Sequence, residues 1–119
     1  MGLGKTAQII ALLALLKEKG ELGLSLIVVP SSVIDNWMRE IHTWCPSLSV
    51  LVYFGSQKDR IRQQEEYKHD KDAYEVILTT YNLVTSTKDD RSFFKKLKLD
   101  CMILDEGHMI KVNTAQTTW

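Results

Sequence analysis

Gly2-Leu3-Gly4-Lys5-Thr6 runs straight into Ala7 and an almost unbroken apolar stretch ending at Leu16, and few arrangements suit such a junction. Glycines let backbone N–H groups close around an anion, and a helix starting there aims its positive end at the same point. The order Gly-Lys-Thr matches the back half of the phosphate loop G-x-x-x-x-G-K-[ST]. In that loop the lysine reaches the outer phosphates and the hydroxyl takes a place on Mg²⁺. Gly2, Leu3, Gly4, Lys5, Thr6 and Ala7 are therefore candidate ligands for a nucleotide, and Thr6 also for the metal. The first glycine of the full pattern would fall two residues before Met1, and the strand that feeds such a loop is not among these residues. Taken alone, the six residues also suit a flexible, glycine-rich start to a helix.

The rest of the chain alternates between two periodicities. A helix is expected over 6–19, apolar all round and so buried on several sides, with Gly20 placed to stop it. Leu24-Ser25-Leu26-Ile27-Val28-Val29 has the near-continuous apolar character of a strand covered on both faces. Pro30 ends it, and Ser31 or Ser32 is expected to cap the next helix, with Asp35 in its first turn. Val33, Trp37, Ile41 and Trp44 fall at helical spacing, which makes both tryptophans expected core anchors. Residues 48–53 form a second expected strand and Phe54-Gly55-Ser56 a turn. The charged stretch 57–68 reads as a solvated helix. A third strand follows over 76–80 and a short helix over 81–86. Lys88-Asp89-Asp90 is an expected loop, with Asp90 capping a helix through Lys96, and Lys95-Lys96-Leu97-Lys98 reads as a solvated helix end in preference to a DNA or histone patch. Cys101-Met102-Ile103-Leu104 is the fourth strand, and the polar tail from Lys111 is expected to fray.

Strands alternating with helices imply an α/β layer fold around a mainly parallel sheet, and 119 residues suit one domain, 1–119. Ligands of such sheets gather at the carboxyl ends of the strands, where Ser31, Thr79, Thr80 and Asp105 all fall. The 15 basic and 15 acidic side chains cancel, so bulk charge does not mark a nucleic-acid binder and any such contact must be local. Cys45 and Cys101 form no CxxC pair and are expected to be reduced and buried. His42 and His69 have no partners at ligand spacing and are expected to be surface or packing residues. The apolar run 9–16 is far shorter than the ~20 residues a membrane span needs, and no signal peptide or membrane partner is expected.

An apolar strand ending in Asp105-Glu106 has the form of a Walker B element. The aspartate holds Mg²⁺ and the glutamate can polarise an attacking water. By itself this pair also suits an exposed acidic turn. Combined with a phosphate loop 100 residues earlier (105 − 5), it makes an ATP site the better reading. The chain then becomes specific. Met-Gly-Leu-Gly-Lys-Thr, Leu-Ile-Val-Val-Pro, Asn36-Trp37, Leu78-Thr79-Thr80-Tyr81 and Asp-Glu-Gly-His, in that order, resemble motifs I, Ia, Ib and II of the SWI/SNF-like ATPases. These are the chromatin-remodelling branch of the superfamily-two helicases. Ile34-Asp35-Asn36-Trp37, Trp44-Cys45-Pro46, Tyr53-Phe54-Gly55-Ser56-Gln57, Asp89-Asp90-Arg91-Ser92 and glycine at Gly107 resemble the subfamily that carries ubiquitin-binding CUE domains.

The resemblance covers essentially the whole chain. It implies a three-layer, RecA-like P-loop lobe, incomplete at both ends, from a nuclear ATP-dependent translocase acting on double-stranded DNA and nucleosomes. It implies ATP and Mg²⁺ held by Gly2, Gly4, Lys5, Thr6 and Asp105, with Glu106 as catalytic base and His108 coupling the nucleotide site to DNA. It also implies DNA backbone contacts at Ser31, Ser32, Gly55, Thr79 and Thr80, where hydroxyls and N–H groups suit phosphates without reading bases. The second lobe, whose arginines complete the family's ATP site, is not present, so negligible ATP hydrolysis is expected of these residues alone. Lys111-Val112-Asn113 departs from the Lys-Asn usual after the box. Two other functions stay open: a non-catalytic fragment acting only through partners, and a small P-loop kinase or GTPase, which Asp-Glu-Gly-His disfavours.

Overall fold

A computed structural model of the chain describes residues 3–104 and 108–111, with side chains for 6–104. Helix α1 (Leu3–Glu18) leads into strand β1 (Ser25–Val29), then α2 (Ile34–Trp44), β2 (Val50–Val52), α3 (Gln57–His69) and β3 (Val76–Thr80). A single helical turn, α4 (Tyr81–Val84), precedes α5 (Lys88–Lys95), β4 (Cys101–Leu104) and β5 (His108–Lys111). The strands form one sheet in the order β2-β3-β1-β4-β5. The first four are parallel, and β5 returns antiparallel along β4.

Alternation along the buried strands divides the core into two layers. Ile27, Val29, Val76, Leu78 and Ile103 pack with Ile9, Ile10 and Leu13 of α1 and with Trp37 and Ile41 of α2. Leu26, Val28, Leu51, Tyr53 and Ile77 face the other way, toward Tyr67 of α3 and Phe93, Phe94 and Leu97 around α5. β1 and β3 are buried at every position, as their continuous apolar sequence requires. Each such aliphatic side chain contributes roughly 1.5–3 kcal/mol on burial. The result is the expected α/β/α three-layer arrangement.

Several local expectations are corrected. α1 buries Thr6, Ile9, Ile10 and Leu13 but leaves Leu12 and Leu15 exposed, since its buried side packs on α2 and the sheet. Neither Ser31 nor Ser32 caps a helix. Ser31–Val33 forms a 3-10 turn, and α2 begins after Val33 with no side-chain cap. Trp37 is 2% exposed, but Trp44 is 58% exposed. At Cys45 the backbone leaves helical geometry (φ −148°, ψ 73°) and turns inward, so Cys45 and Leu48 take the buried places at the end of α2. The second strand is shorter than expected, although the Tyr53 N–H still donates to the Leu78 carbonyl at 2.8 Å. α3 is not solvated all round, because Arg60, Gln64 and Tyr67 form a buried stripe. The cap of α5 is Thr87, whose hydroxyl accepts from the Asp90 N–H, and Lys88, Asp89 and Asp90 are already helical. Both cysteines are buried and neither is in a disulfide, as expected, and His42 and His69 are exposed.

Candidate functional site

The candidate nucleotide residues lie at the start of α1. The backbone is helical from Leu3, three residues earlier than expected, and so includes Gly4 and Lys5. Thr6 is buried at 4% exposure in the first turn. That turn contains no acidic residue, so nothing on it opposes an anion at the helix's positive end. A 16-residue helix with lysine and threonine in an acid-free first turn has the donor chemistry that ATP phosphates and Mg²⁺ require. Gly2 lies outside the described residues, as do Asp105, Glu106 and Gly107. β4 runs parallel to β1 with Leu104, the residue before Asp105 in the sequence, opposite Val28. His108 opens β5, its backbone paired with Leu104.

The candidate DNA residues meet along one edge. Val29 of β1 is in register with Thr80 of β3, and Val52 of β2 with Leu78. The segments bearing Ser31 and Ser32, Thr79 and Thr80, and Gly55 therefore leave three adjacent strands at the same end of the sheet. Their exposure divides them. Ser31, Ser32 and Gly55 are exposed, whereas Thr79 and Thr80 are buried. The Thr79 hydroxyl donates to the Tyr53 carbonyl at 2.8 Å, tying the end of β3 to that of β2.

A buried polar network that the sequence did not announce holds this edge. Arg60 donates through Nε to Asp90 Oδ1 at 3.0 Å and through Nη2 to Oδ2 at 2.9 Å, a two-pronged ion pair joining α3 to α5. Its Nη1 donates to the Gly55 carbonyl at 2.7 Å. Tyr53 donates its hydroxyl to Asp90 and accepts from Gln64 at 2.8 Å. Thr87 donates its hydroxyl to Asp90 at 2.8 Å. Burial alone would raise the Asp90 pKa, but hydrogen bonds from Arg60, Tyr53 and Thr87 hold it below the usual carboxylate range. Burial, with Asp90 beside it, pushes the Tyr53 hydroxyl well above its ordinary value, so it remains a neutral donor.

The turn beneath the network is equally constrained. Gly55 has φ 114°, and a Cβ there would lie 2.8 Å from Asp59 Oδ2. Ser56 and Asp59 exchange side-chain and backbone hydrogen bonds across the first turn of α3. The local patterns that could have pointed to it are the capping spacings Ser56-x-x-Asp59 and Thr87-x-x-Asp90, which played no part in the expectations from sequence. Neither predicts that Arg60 meets Asp90, 30 positions away. Among the described residues no cluster of His, Cys, Asp and Glu could hold a metal, and no helix is long and apolar enough to cross a membrane.

A mainly parallel sheet between helical layers, with Gly-Lys-Thr opening the first helix and Asp-Glu next in sequence after an inner strand, narrows the class of molecule. The chain belongs to the family described as the SNF2-related domain, whose model matches residues 1–119. Among curated proteins it is 56% identical over 111 residues to a Caenorhabditis elegans homolog of the SWI/SNF-related matrix-associated actin-dependent regulator of chromatin subfamily A containing DEAD/H box 1. It is 54% identical to the human protein of that name and 48% identical to the Schizosaccharomyces pombe ATP-dependent helicase fft2, each over 93% of this chain. The chain spans 11% of the length of the first two and 9% of the third. Its fold matches the Sulfolobus solfataricus SWI2/SNF2 ATPase core in complex with double-stranded DNA, with TM-score 0.68 and 32% identity, covering 87% of this chain and 19% of that one. A second structure, of the Sulfolobus solfataricus SWI2/SNF2 ATPase core domain, matches with TM-score 0.65 and 34% identity, covering 89% of this chain and 19% of that one.

Proposed function

We propose that residues 1–119 form the part of a helicase ATP-binding domain running from motif I to motif II, within a nuclear, ATP-dependent translocase on double-stranded DNA that remodels nucleosomes. Bound ATP with Mg²⁺ supplies the phosphoryl group to be cleaved and the charge that offsets its oxygens. Gly2 and Gly4 let backbone N–H groups approach the phosphates, with Leu3 and Ala7 flanking them. Lys5 neutralises the outer phosphates. Thr6 and Asp105 hold the metal, Glu106 polarises the attacking water, and His108, the last residue of the Asp-Glu-Gly-His box, links this site to the DNA edge.

The observation that supports this most is the register of β2, β3 and β1. It brings Gly55, Thr79–Thr80 and Ser31–Ser32 to the same sheet edge, the end at which β4 runs out toward Asp105. Exposed Ser31, Ser32 and Gly55 make the phosphate contacts. Buried Thr79 and Thr80 fix the strand end on which those contacts depend. Such contacts grip a duplex without reading its bases. Photocrosslinking of an azido-ATP analogue to the full-length protein tests the nucleotide half. Lys5→Ala is expected to abolish labelling, and undiminished labelling would remove the phosphate-loop assignment.

A further inference from the structure

On the face opposite α1 and α2, a cleft of about 210 Å³ opens between α3 and α5. Its floor is apolar and aromatic: Tyr67 and Phe93 meet edge to face at 5.7 Å, with Leu97 beside them, all three buried. Its rim is cationic, formed by the exposed side chains of Lys68, Lys71 and Lys96, with Asp89 the one carboxylate in the lining. Among the described residues none of these three lysines makes an ion pair. The cleft continues past Tyr67, Lys71 and Lys96 into a second depression that adds Lys98 and Tyr74. The carboxylates there are Asp72 and Glu75, and Glu75 is already engaged by Lys17 at 2.8 Å and by the Ser49 N–H at 2.9 Å.

We propose that this groove docks an acidic peptide segment of a partner protein, with one bulky apolar side chain set between Tyr67 and Leu97 and its carboxylates on the lysine rim. Paired helix faces with an apolar floor and a charged border are a common form of peptide-binding groove. Concavity favours a peptide over a duplex, because an inserted side chain can fill the cleft while a phosphate backbone would bridge its mouth. The scattered carboxylates favour it too. Asp89 and Asp72 interrupt the lysines, and a polymer of uniform negative charge meets them, whereas a peptide with spaced acids avoids them. The second depression borders Leu24, Glu75 and Lys98, which lie at or before the amino-terminal ends of β1, β3 and β4. Docking there leaves the edge bearing Ser31 and Gly55 uncovered, so the inference stands apart from the ATP and DNA assignments.

Fluorescence anisotropy on the full-length protein tests it, using a fluorescein-labelled peptide of alternating glutamate and serine around a central phenylalanine. Saturable binding that weakens with added salt is expected. Lys71→Glu combined with Lys96→Glu should raise Kd about tenfold or more. Both positions are exposed, so circular dichroism should be unchanged. Ser92→Trp, also exposed and on the cleft wall, should block binding by filling the space without altering charge. Replacing the peptide's phenylalanine by serine should have a comparable effect. Absence of saturable binding, a Kd unmoved by either variant, or displacement of the peptide by a short DNA duplex that binds the same lysines more tightly would each overturn the proposal.

Discussion

The sharpest test of the edge's construction is Asp90→Ala. Asp90 is 1% exposed and accepts from Arg60 at two atoms, from the Tyr53 hydroxyl and from the Thr87 hydroxyl. Removing it strands a guanidinium that is itself only 6% exposed. Breaking a buried ion pair in this way typically costs about 3–5 kcal/mol, because the remaining charge keeps its desolvation penalty without a partner. Against a usual total of ~5–15 kcal/mol for a domain, that is a large fraction. With a urea slope of ~1–3 kcal/mol/M, the unfolding midpoint followed by far-UV circular dichroism should fall by roughly 2 M. The double variant Arg60→Met, Asp90→Leu removes both charges and should return to within about 1–2 kcal/mol of the parent. The pH dependence has a definite sign. The folded pKa of Asp90 is depressed, so its contribution is complete above the unfolded value of ~3.9 and is lost as pH falls through the folded value. The parent should therefore lose stability below about pH 4, and the double variant should lack that component of the acid slope. An Asp90→Ala shift under about 1 kcal/mol, or a double variant as unstable as the single, would refute this account of the pair.

Three further outcomes follow from particular positions. Trp37→Ala should lower stability by about 3–5 kcal/mol in urea unfolding, whereas Trp44→Ala should stay within about 0.5 kcal/mol, since only Trp37 is enclosed. Gly55→Ala places a Cβ 2.8 Å from Asp59 Oδ2 at a φ of 114°; a loss of roughly 1–3 kcal/mol and weaker duplex binding in a gel-shift assay are expected. Thr79→Val keeps the side chain's shape but removes the donor to the Tyr53 carbonyl. It should cost about 1–3 kcal/mol in the same unfolding assay.

The four parallel strands were legible because each is a short apolar run bounded by turn residues, and that pattern needs no knowledge of neighbours. The family motifs were equally plain, since phosphate and metal chemistry demand particular side chains in a particular order. Trp44 was misjudged because helical spacing assigns a face but not the point at which the chain leaves the helix, and here the inward turn at Cys45 decides exposure. α3 was read as solvated because Arg60 and Gln64 count as polar in any pattern, and they become core residues only when Asp90 and Tyr53 arrive from distant segments. Asp90 was recognised as part of a helix start, a local property, but not as half of a buried ion pair. β5 carried no advance signal, since its antiparallel pairing with β4 is a property of two segments together rather than of apolar periodicity in either.

By itself, then, the order of residues determined the layer architecture and the family, and nominated the candidate elements for nucleotide and DNA. All of these rest on local periodicity or on side-chain chemistry at short spacing. Tertiary structure alone decided which polar groups are buried, that Thr79 is committed to Tyr53 while Ser31 is free to solvent, and that lysines of two helices border one aromatic cleft. The physical reason is that burial and pairing are properties of two or more segments brought together, and no single stretch of chain contains them.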